Sequence, residues 1–203
     1  MRYKAKREAL VAIAARQHGF FTARQALLAG YDYPRQHYHV HTDNWERVAR
    51  GIFRLRDYPL PERADLVVLS LLSHNRASEP QAVVSHETAL ALHELSDANP
   101  ARIHLTVPPG FRRHLPPGGV LRRALLQPSD WEEREGYRVT TPLRTLLDIA
   151  ESPTSWPYLD AAVRDALRRG LVRRWQALEA PVSPLAHARL ASAIDAAEEK
   201  AGV

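Results

Sequence analysis

Residues 35–39 read Arg-Gln-His-Tyr-His and bring together side chains that can recognise DNA bases. In the major groove an arginine can form two hydrogen bonds with guanine, and a glutamine can form two with adenine. A histidine can donate to base edges or to phosphates. If the segment forms a helix, its outer face presents Arg35, Gln36, His37 and His39, and we expect this face to contact DNA.

Five further polar side chains flank this segment and suit contacts with the DNA backbone. Arg47, Arg50 and Arg54 lie in a predicted hairpin, from which they could reach phosphates or the minor groove. Arg24 and Gln25 lie at the start of a predicted helix, where we expect them near phosphates. Arg50 also fits a second interpretation, as a solvated residue of a turn.

Three neighbouring rings are expected to stabilise the fold or to contact DNA. Tyr38 and Trp45 are predicted to point into the core, while His41 fits a buried, hydrogen-bonded histidine as well as it fits a DNA contact. His37, His39 and His41 alternate, and alternate residues share a face only in a strand. Because a helix is predicted here, we expect no metal site at these histidines.

The first two helices that position these side chains are marked by their ends. Apolar residues at i, i+3 and i+4 spacing predict a helix over residues 4–18, and Gly19 ends it. Thr22 and Gln25 have the spacing of a capping box, which begins a second helix. Gly30 ends that helix after two turns.

A third helix and a hairpin complete the predicted N-terminal module. Pro34 suits the first turn of a helix that ends near Thr42. Two short apolar strands then surround a turn at Arg50 and Gly51. Helix, short helix, turn, short helix and hairpin, in this order, predict a winged helix-turn-helix over residues 1–58.

The charge separates a basic beginning from a near-neutral remainder. The formal net charge of the chain is +5. Residues 1–58 hold 11 Lys and Arg against 5 Asp and Glu, whereas residues 59–203 hold 17 against 18. This asymmetry favours a nucleic-acid-binding module joined to a partner-binding or regulatory body, although solubility alone could also explain it.

Composition restricts the class of protein. A chain of 203 residues, 45% hydrophobic and 25% charged, is typical of one large or two small globular domains. It contains no Cys, which excludes disulfides, cysteine-ligated zinc and a cysteine nucleophile. No apolar stretch reaches the roughly 18 residues of a membrane span, and the first residues lack a cleavage-site pattern. We therefore expect no signal peptide, no membrane association and a cytoplasmic location.

After a proline-containing linker at residues 58–61, the second predicted module, residues 59–203, mixes helices with strands. A buried helix and four strands are predicted at residues 62–73, 82–84, 103–107, 120–126 and 137–140. Further helices are predicted to begin at Ser85 and Thr141, which act as caps, and at Tyr158 and Ser183. The fold class is therefore α+β: an N-terminal winged helix-turn-helix followed by a mixed α/β domain with a small sheet of three or four strands and several helices.

Two groups of arginines in this second module are candidates for a further charged surface. The first group consists of Arg112, Arg113, Arg122 and Arg123. The second consists of Arg164, Arg168, Arg169, Arg173 and Arg174. Because Asp160 precedes Arg164 by four residues and Asp165 precedes Arg168 by three, part of the second group is expected to form ordinary ion pairs along a helix.

Known catalytic patterns are missing from the sequence. It contains no Gly-x-Ser-x-Gly elbow, no phosphate-binding loop that ends in Lys-Ser or Lys-Thr, and no His-Glu-x-x-His. Lysine occurs only at positions 4, 6 and 200, whereas a metal-dependent nuclease usually places a lysine beside its carboxylates. We therefore expect neither catalysis nor a cofactor.

Three segments resemble a known family, the AbiEi antitoxins. They are Trp-Glu-Arg-Val-Ala-Arg-Gly-Ile-Phe-Arg-Leu at 45–55, Ala-Val-Val-Ser-His-Glu-Thr-Ala-Leu-Ala-Leu-His at 82–93 and Val-Thr-Thr-Pro-Leu-Arg-Thr-Leu-Leu-Asp at 139–148. The resemblance covers about residues 4–170, and the last two segments, in this order, are its most specific part. The recognition segment at 35–40 is not constant in the family and so predicts no operator sequence.

The resemblance implies an antitoxin that binds operator DNA and represses its own operon. It also implies a partner toxin with a nucleotidyltransferase fold. In such families the N-terminal winged helix binds operator repeats, and the second domain neutralises the toxin or assists DNA binding. Direct contact with the toxin is not required, so two alternatives stay open: a module that neutralises a toxin by direct contact, and a winged-helix nuclease.

Overall fold

The computed structural model describes residues 3–134 and 136–201, which form two compact units. The first unit comprises Met1–Ala82 with Arg112–Leu115 and Glu133–Tyr137. The second comprises Val83–Phe111, Pro116–Glu132 and Arg138–Val203. The first unit thus extends past the linker predicted at residues 58–61, because the helix that follows the linker packs on the strands that precede it.

The first unit has the element order predicted from the sequence, with one additional strand. Its elements are α1 (Tyr3–Ala15), β1 (Phe20–Thr22), α2 (Ala23–Leu28), α3 (Tyr33–His41), β2 (Trp45–Ala49), β3 (Ile52–Leu55) and α4 (Ala64–Leu72). The strands form an antiparallel sheet in the order β1-β3-β2, with Phe21 opposite Phe53. Only β1 escaped the sequence analysis, since three residues are too few to show an alternating pattern.

Local sequence signals account for the helix ends of this unit. The Thr22 side chain accepts a hydrogen bond from the Gln25 backbone N–H at 3.1 Å, and the Gln25 side chain accepts one from the Thr22 N–H at 2.8 Å. This confirms the capping box. Helix α1 ends at Ala15, three residues earlier than predicted. Gly19 then adopts a φ of +84°, and a Cβ there would lie 2.5 Å from the Cβ of Tyr58.

Two apolar clusters hold the first unit together. One contains Leu10, Phe21, Trp45 and Phe53, and it joins α1 to the sheet. The Phe21 and Trp45 rings meet edge to face, with their centroids 4.8 Å apart. The other contains Phe20 and Ile52 of the sheet with Val67 and Leu71 of α4. Because successive strand residues point to opposite faces, Phe20 and Phe21 contribute to different clusters.

The second unit combines a sheet with a group of helices, as predicted. The strands and α-helices that follow α4 in the chain are β4 (Val83–Val84), α5 (His86–His93), β5 (Ile103–Val107), β6 (Gly119–Arg123), β7 (Trp131–Arg134), β8 (Tyr137–Thr140), α6 (Pro142–Ala150), α7 (Leu159–Arg168), α8 (Arg174–Leu178) and α9 (Pro184–Ala201). The five-stranded sheet has the order β6-β5-β4-β8-β7, one strand more than the largest prediction. Strand β7 reads Trp-Glu-Glu-Arg and was not predicted, because its mostly charged residues do not form an apolar pattern.

The apolar stripes predicted for the later helices are confirmed by their burial. Leu146 and Ala150 of α6, Val163 of α7, and Leu190 and Ile194 of α9 are all buried in one cluster. Thr141 caps α6 by accepting a hydrogen bond from the Arg144 N–H at 3.3 Å. Helix α6 carries its stripe at i, i+3, i+4 and i+7, the spacing that places residues on one side of a helix.

Ser85 lies at the N-cap of α5, but its side chain does not cap the helix. This corrects the prediction. The Ser85 hydroxyl instead accepts a hydrogen bond from the Thr106 hydroxyl of β5 at 2.9 Å and lies 3.0 Å from the His86 Nδ1. His86 adopts a φ of +52°, a left-handed conformation that is strained for a residue with a Cβ. Burial lowers the pKa of His86 to about 4.

A partly buried carboxylate joins α5 to two other elements of the second unit. Glu87 accepts a hydrogen bond from the Ser155 hydroxyl, and its Oε2 lies 2.6 Å from the Nδ1 of His104 on β5. Burial by itself raises the pKa of Glu87. The bonds from His104 and Ser155 outweigh that effect and lower the pKa to about 2.

Candidate nucleic-acid interface

Helix α3 is held against the rest of the first unit by one of its own polar residues. The Gln36 Nε2 donates to the carbonyls of Ala23 and Tyr31, at 3.0 and 2.9 Å. These carbonyls belong to the first residue of α2 and to the turn before α3. The side chain of Gln36 therefore fixes the angle between the two helices.

The expectation that Gln36 lies on the outer face of α3 is wrong. Gln36 is 3% exposed, and its amide group is occupied by the two backbone carbonyls. Moving it outward would break these two hydrogen bonds at a largely buried place, at a cost of about 1–3 kcal/mol. Gln36 thus cannot reach a base edge from this position.

The same correction applies to His39, which is also buried. Its ring stacks on Trp45, with centroids 4.8 Å apart and planes 17° apart, and it meets Tyr31 edge to face at 5.3 Å. Burial lowers the pKa of His39, so its ring is neutral near pH 7. His39 is part of the aromatic packing under α3 and not of its outer face.

The outer face of α3 carries Arg35, His37, Tyr38 and His41, all exposed. Tyr38 is 61% exposed, which overturns its predicted place in the core, and His41 is solvent-exposed and not a core histidine. His37 and His41 stack with their ring centroids 4.0 Å apart. Arg35 forms a partly exposed ion pair with Asp32 at 3.3 Å, a contact weak enough to exchange for a DNA phosphate or base.

The hairpin of β2 and β3 forms as predicted, but its arginines differ in availability. Arg47 and Arg50 are exposed, and Arg50 forms no ion pair within residues 3–134 or 136–201. Arg54 is different because its Nε and Nη2 donate to Glu46 at 3.0 and 2.7 Å, and its Nη1 donates to the Tyr58 carbonyl at 2.8 Å. Arg54 thus ties the hairpin together, contrary to the expected DNA contact.

The two residues predicted at the start of α2 also divide in this way. Arg24 is exposed and donates to the carbonyl of Arg76. Gln25 is half-buried, since its side chain completes the capping box and its Nε2 donates to Gln17 at 3.1 Å. Gln25 therefore stabilises the helix end, and of the two residues only Arg24 is exposed.

The expected second basic surface consists of exposed side chains that lie in different units. Arg112 and Arg113 belong to the first unit, and Arg122 and Arg123 belong to the second. All four are exposed. Arg123 is anchored by hydrogen bonds to the carbonyls of Pro109 and Phe111, at 2.8 and 3.0 Å.

The arginines of the later helices are largely engaged within the second unit. Arg168 lies 3.6 Å from Asp165, as expected. Asp160 pairs with Arg189 at 2.7 Å and not with Arg164. Arg174 pairs with Asp195 and Glu198, and Arg169 donates to the carbonyls at the end of α5. These interactions stabilise the helical cluster.

The described part of the chain holds neither a candidate metal site nor a candidate membrane span. Residues 3–134 and 136–201 contain no group of three or more His, Asp or Glu arranged to hold a metal ion. Within the same residues, no helix has the length and apolar character that crossing a membrane requires.

The comparisons with known proteins agree with the two-part organisation. The model of the AbiEi antitoxin C-terminal domain matches residues 82–199, and a model described as a transcriptional regulator, AbiEi antitoxin, matches residues 8–56. No curated protein matches the sequence.

A solved structure shares the fold. The crystal structure of the RV2827C protein from Mycobacterium tuberculosis matches with a TM-score of 0.56 and 16% identity, over 98% of this chain and 80% of that one. At this identity the likeness concerns the fold alone. Since the C-terminal-domain model by itself spans more than half of the 203 residues, the chain belongs to the AbiEi antitoxin family, a family of antitoxins and transcriptional regulators.

Proposed function

We propose that this antitoxin binds operator DNA through residues 1–58 and represses its own operon, while residues 59–203 act in regulation. The observation that carries the proposal is the outer face of α3. Arg35, His37, Tyr38 and His41 are exposed there, and buried Gln36 fixes the helix behind them. A helix that presents such a polar face can enter the major groove.

The remaining contacts suit the DNA backbone. Arg47 and Arg50 of the hairpin and Arg24 of α2 are exposed cations at the two sides of α3 in the chain. Arginines in such places bind phosphates and fix the register of the protein on the duplex, without reading sequence. Gln25, Gln36, His39 and Arg54 are left out of the proposed contacts because each is engaged within the fold.

The direct test is a band-shift titration with the DNA upstream of the gene and with a scrambled duplex. Arg35→Gln is expected to weaken binding to the upstream DNA by about 1–3 kcal/mol and to reduce the preference over the scrambled duplex. Arg50→Gln is expected to weaken binding to both duplexes alike. Arg168→Gln is the matched control, because Arg168 is an exposed arginine of the second unit. Unchanged binding of the Arg35 variant would contradict the groove assignment.

A second candidate function is direct neutralisation of a toxin by protein contact. Several large apolar side chains of the second unit are exposed, among them Leu171 at 41%, Trp175 at 55% and Leu185 at 61%. Exposed tryptophan is common in protein interfaces. Under the first proposal the partner is a toxin with a nucleotidyltransferase fold, encoded beside this gene. Both proteins act in the cytoplasm, and the toxin need not contact the antitoxin. Co-purification of the two through high salt, lost in Trp175→Ala, would favour direct contact, and separation would exclude it.

A further inference from the structure

The first unit contains a cavity of about 220 Å³ beside the buried side of α3. Part of its wall is apolar and comes from Leu10 and Val11 of α1, Trp45 of β2 and Leu55 of β3. The cavity is thus built by elements that also hold α3 and the hairpin in place. Its apolar part can take a small hydrocarbon group.

Two opposite charges border this cavity without pairing to each other. Arg7 of α1 and Asp57, which follows β3, both line it. Across residues 3–134 and 136–201, neither side chain takes part in an ion pair. Their charged atoms are therefore more than 4 Å apart, which leaves room for a molecule that bears both signs of charge.

His39, which also lines this cavity, has a buried polar ring atom. Among the residues that the structure describes, the Nδ1 of His39 has no hydrogen-bond partner, although His39 is only 8% exposed. A buried polar atom without a partner costs about 1–3 kcal/mol, and such atoms are few in native proteins. Since the ring is neutral, its Nδ1 can accept a hydrogen bond when the proton is on Nε2.

We propose that this cavity binds a small zwitterion of the free α-amino acid class. The ligand carboxylate pairs with Arg7, and its ammonium group pairs with Asp57 and donates to the Nδ1 of His39. The ligand side chain packs on Leu10, Leu55 and Trp45. This combination uses the two charges at the cavity and the Nδ1 of His39, and it places the ligand against both α3 and the first residue of the hairpin.

Ligand binding at this place is coupled to whatever α3 contacts. His39 belongs to α3 and stacks on Trp45, which begins β2. A ligand that touches both residues favours one position of α3 over others. Coupled binding is reciprocal: if the ligand changes the affinity for DNA by some factor, DNA changes the affinity for the ligand by the same factor. The binding site itself does not depend on the proposed operator function.

Isothermal titration calorimetry of the full chain tests the proposal with L-leucine, L-methionine and L-phenylalanine. We expect saturable binding of one molecule per chain for at least one of them. N-acetyl-L-leucine, L-leucinamide and the corresponding derivatives of the other two each lack one charge, so we expect them to bind about tenfold more weakly or not at all. Absence of saturable binding by all three amino acids, or equal binding of the blocked derivatives, would overturn the proposal.

Variants of the two charged residues locate the site. Arg7→Gln and Asp57→Asn should each weaken the amino acid by about tenfold, since each loses one charge-assisted contact. Both residues are exposed, so the variants should keep the unfolding temperature of the original chain. Glu8→Gln is the matched control, because Glu8 is exposed beside Arg7 but does not line the cavity. Equal affinity in all three variants would place the binding elsewhere and reject this site.

Discussion

Two neighbouring residues of α3 show how one step along a helix changes the task of a side chain. Successive residues are rotated by about 100° around a helix axis. Arg35 consequently points to solvent and Gln36 points inward, where its amide group bonds two carbonyls. Both residue types are common readers of bases, so type alone does not separate them. The difference has consequences for stability as well as for binding.

At this scale, Gln36→Ala is expected to destabilise the protein while Arg35→Ala is not. The first change removes the two hydrogen bonds to the carbonyls of Ala23 and Tyr31 and opens a small cavity, at a cost of about 1–3 kcal/mol. The second removes an exposed ion pair, worth about 0–1 kcal/mol. Urea unfolding of the two variants measures the difference. Equal unfolding midpoints would show that Gln36 does not hold the helix.

At the scale of elements, hydrogen-bonded pairs of polar side chains fix the relative positions of strands and helices more closely than apolar packing alone would. Arg54 and Glu46 connect the two strands of the hairpin, and Glu87 connects α5 to β5 and to the short 3-10 helix Pro153–Tyr158. Glu87 is held in its charged form by donors from these two other elements. The stability that this link contributes therefore depends on pH.

The Glu87 link gives a prediction with a definite sign. Its pKa falls from 4.5 to about 2 on folding, so the folded state binds fewer protons than the unfolded state in that range. The stabilisation is present above about pH 4.5 and is lost as the pH falls toward 2. Glu87→Gln should therefore lower the free energy of unfolding by about 2 kcal/mol at pH 7 and by progressively less below pH 4.5.

Two nearby groups titrate over neighbouring pH ranges, and both groups are present in the original chain and in the Glu87→Gln variant. The pKa of His86 is lowered to about 4, so its contribution to the stability of the fold is lost as the pH falls from 6.5. Burial raises the pKa of Asp148 to about 6, so its contribution to the stability of the fold is lost as the pH rises from 3.8. Urea unfolding from pH 3 to pH 7 compares the Glu87 variant with Glu62→Gln, which alters an exposed carboxylate. A difference that stays constant across this range would reject the assigned linkage.

At the scale of the whole molecule, the excess positive charge lies in the part proposed to bind DNA. Residues 1–58 hold 11 Lys and Arg against 5 Asp and Glu, whereas the remainder is nearly neutral. Some of these positive charges form ion pairs within the chain, such as Arg54 with Glu46 and Arg56 with Asp43. The affinity for DNA should consequently depend on fewer cations than the sequence contains.

The salt dependence of DNA binding measures that number. With about six phosphate contacts, affinity should fall roughly 10³-fold between 50 and 200 mM salt. Arg50→Gln should reduce the slope of log affinity against log salt by about one, whereas Arg54→Gln should act through stability and leave the slope unchanged. Fluorescence anisotropy with a labelled duplex provides the slopes. A loss of slope in Arg54→Gln equal to that in Arg50→Gln would contradict the division between these two arginines.

The sequence by itself determined most elements of this protein, because the signals for them are local. The capping box of Thr22 and Gln25, the turn at Gly51 and the apolar stripes of α6, α7 and α9 each depend on residues a few positions apart. The three segments that resemble the AbiEi antitoxins were also visible without coordinates, and the family is confirmed. Strands of three residues, or strands rich in charge, carry no such local signal.

Only the tertiary structure decided which polar side chains of the first unit are available. The buried side of α3 is formed by Gln36 and His39, whose burial requires acceptors and rings supplied by distant parts of the chain. Tyr38 was predicted inside from its spacing along the helix, yet the inward positions are filled by Gln36 and His39. The unpaired groups around the cavity come from three separate segments. Rotation of a helix about its axis, and contacts between segments far apart in sequence, depend on the packing of the whole unit and cannot be derived from local spacing.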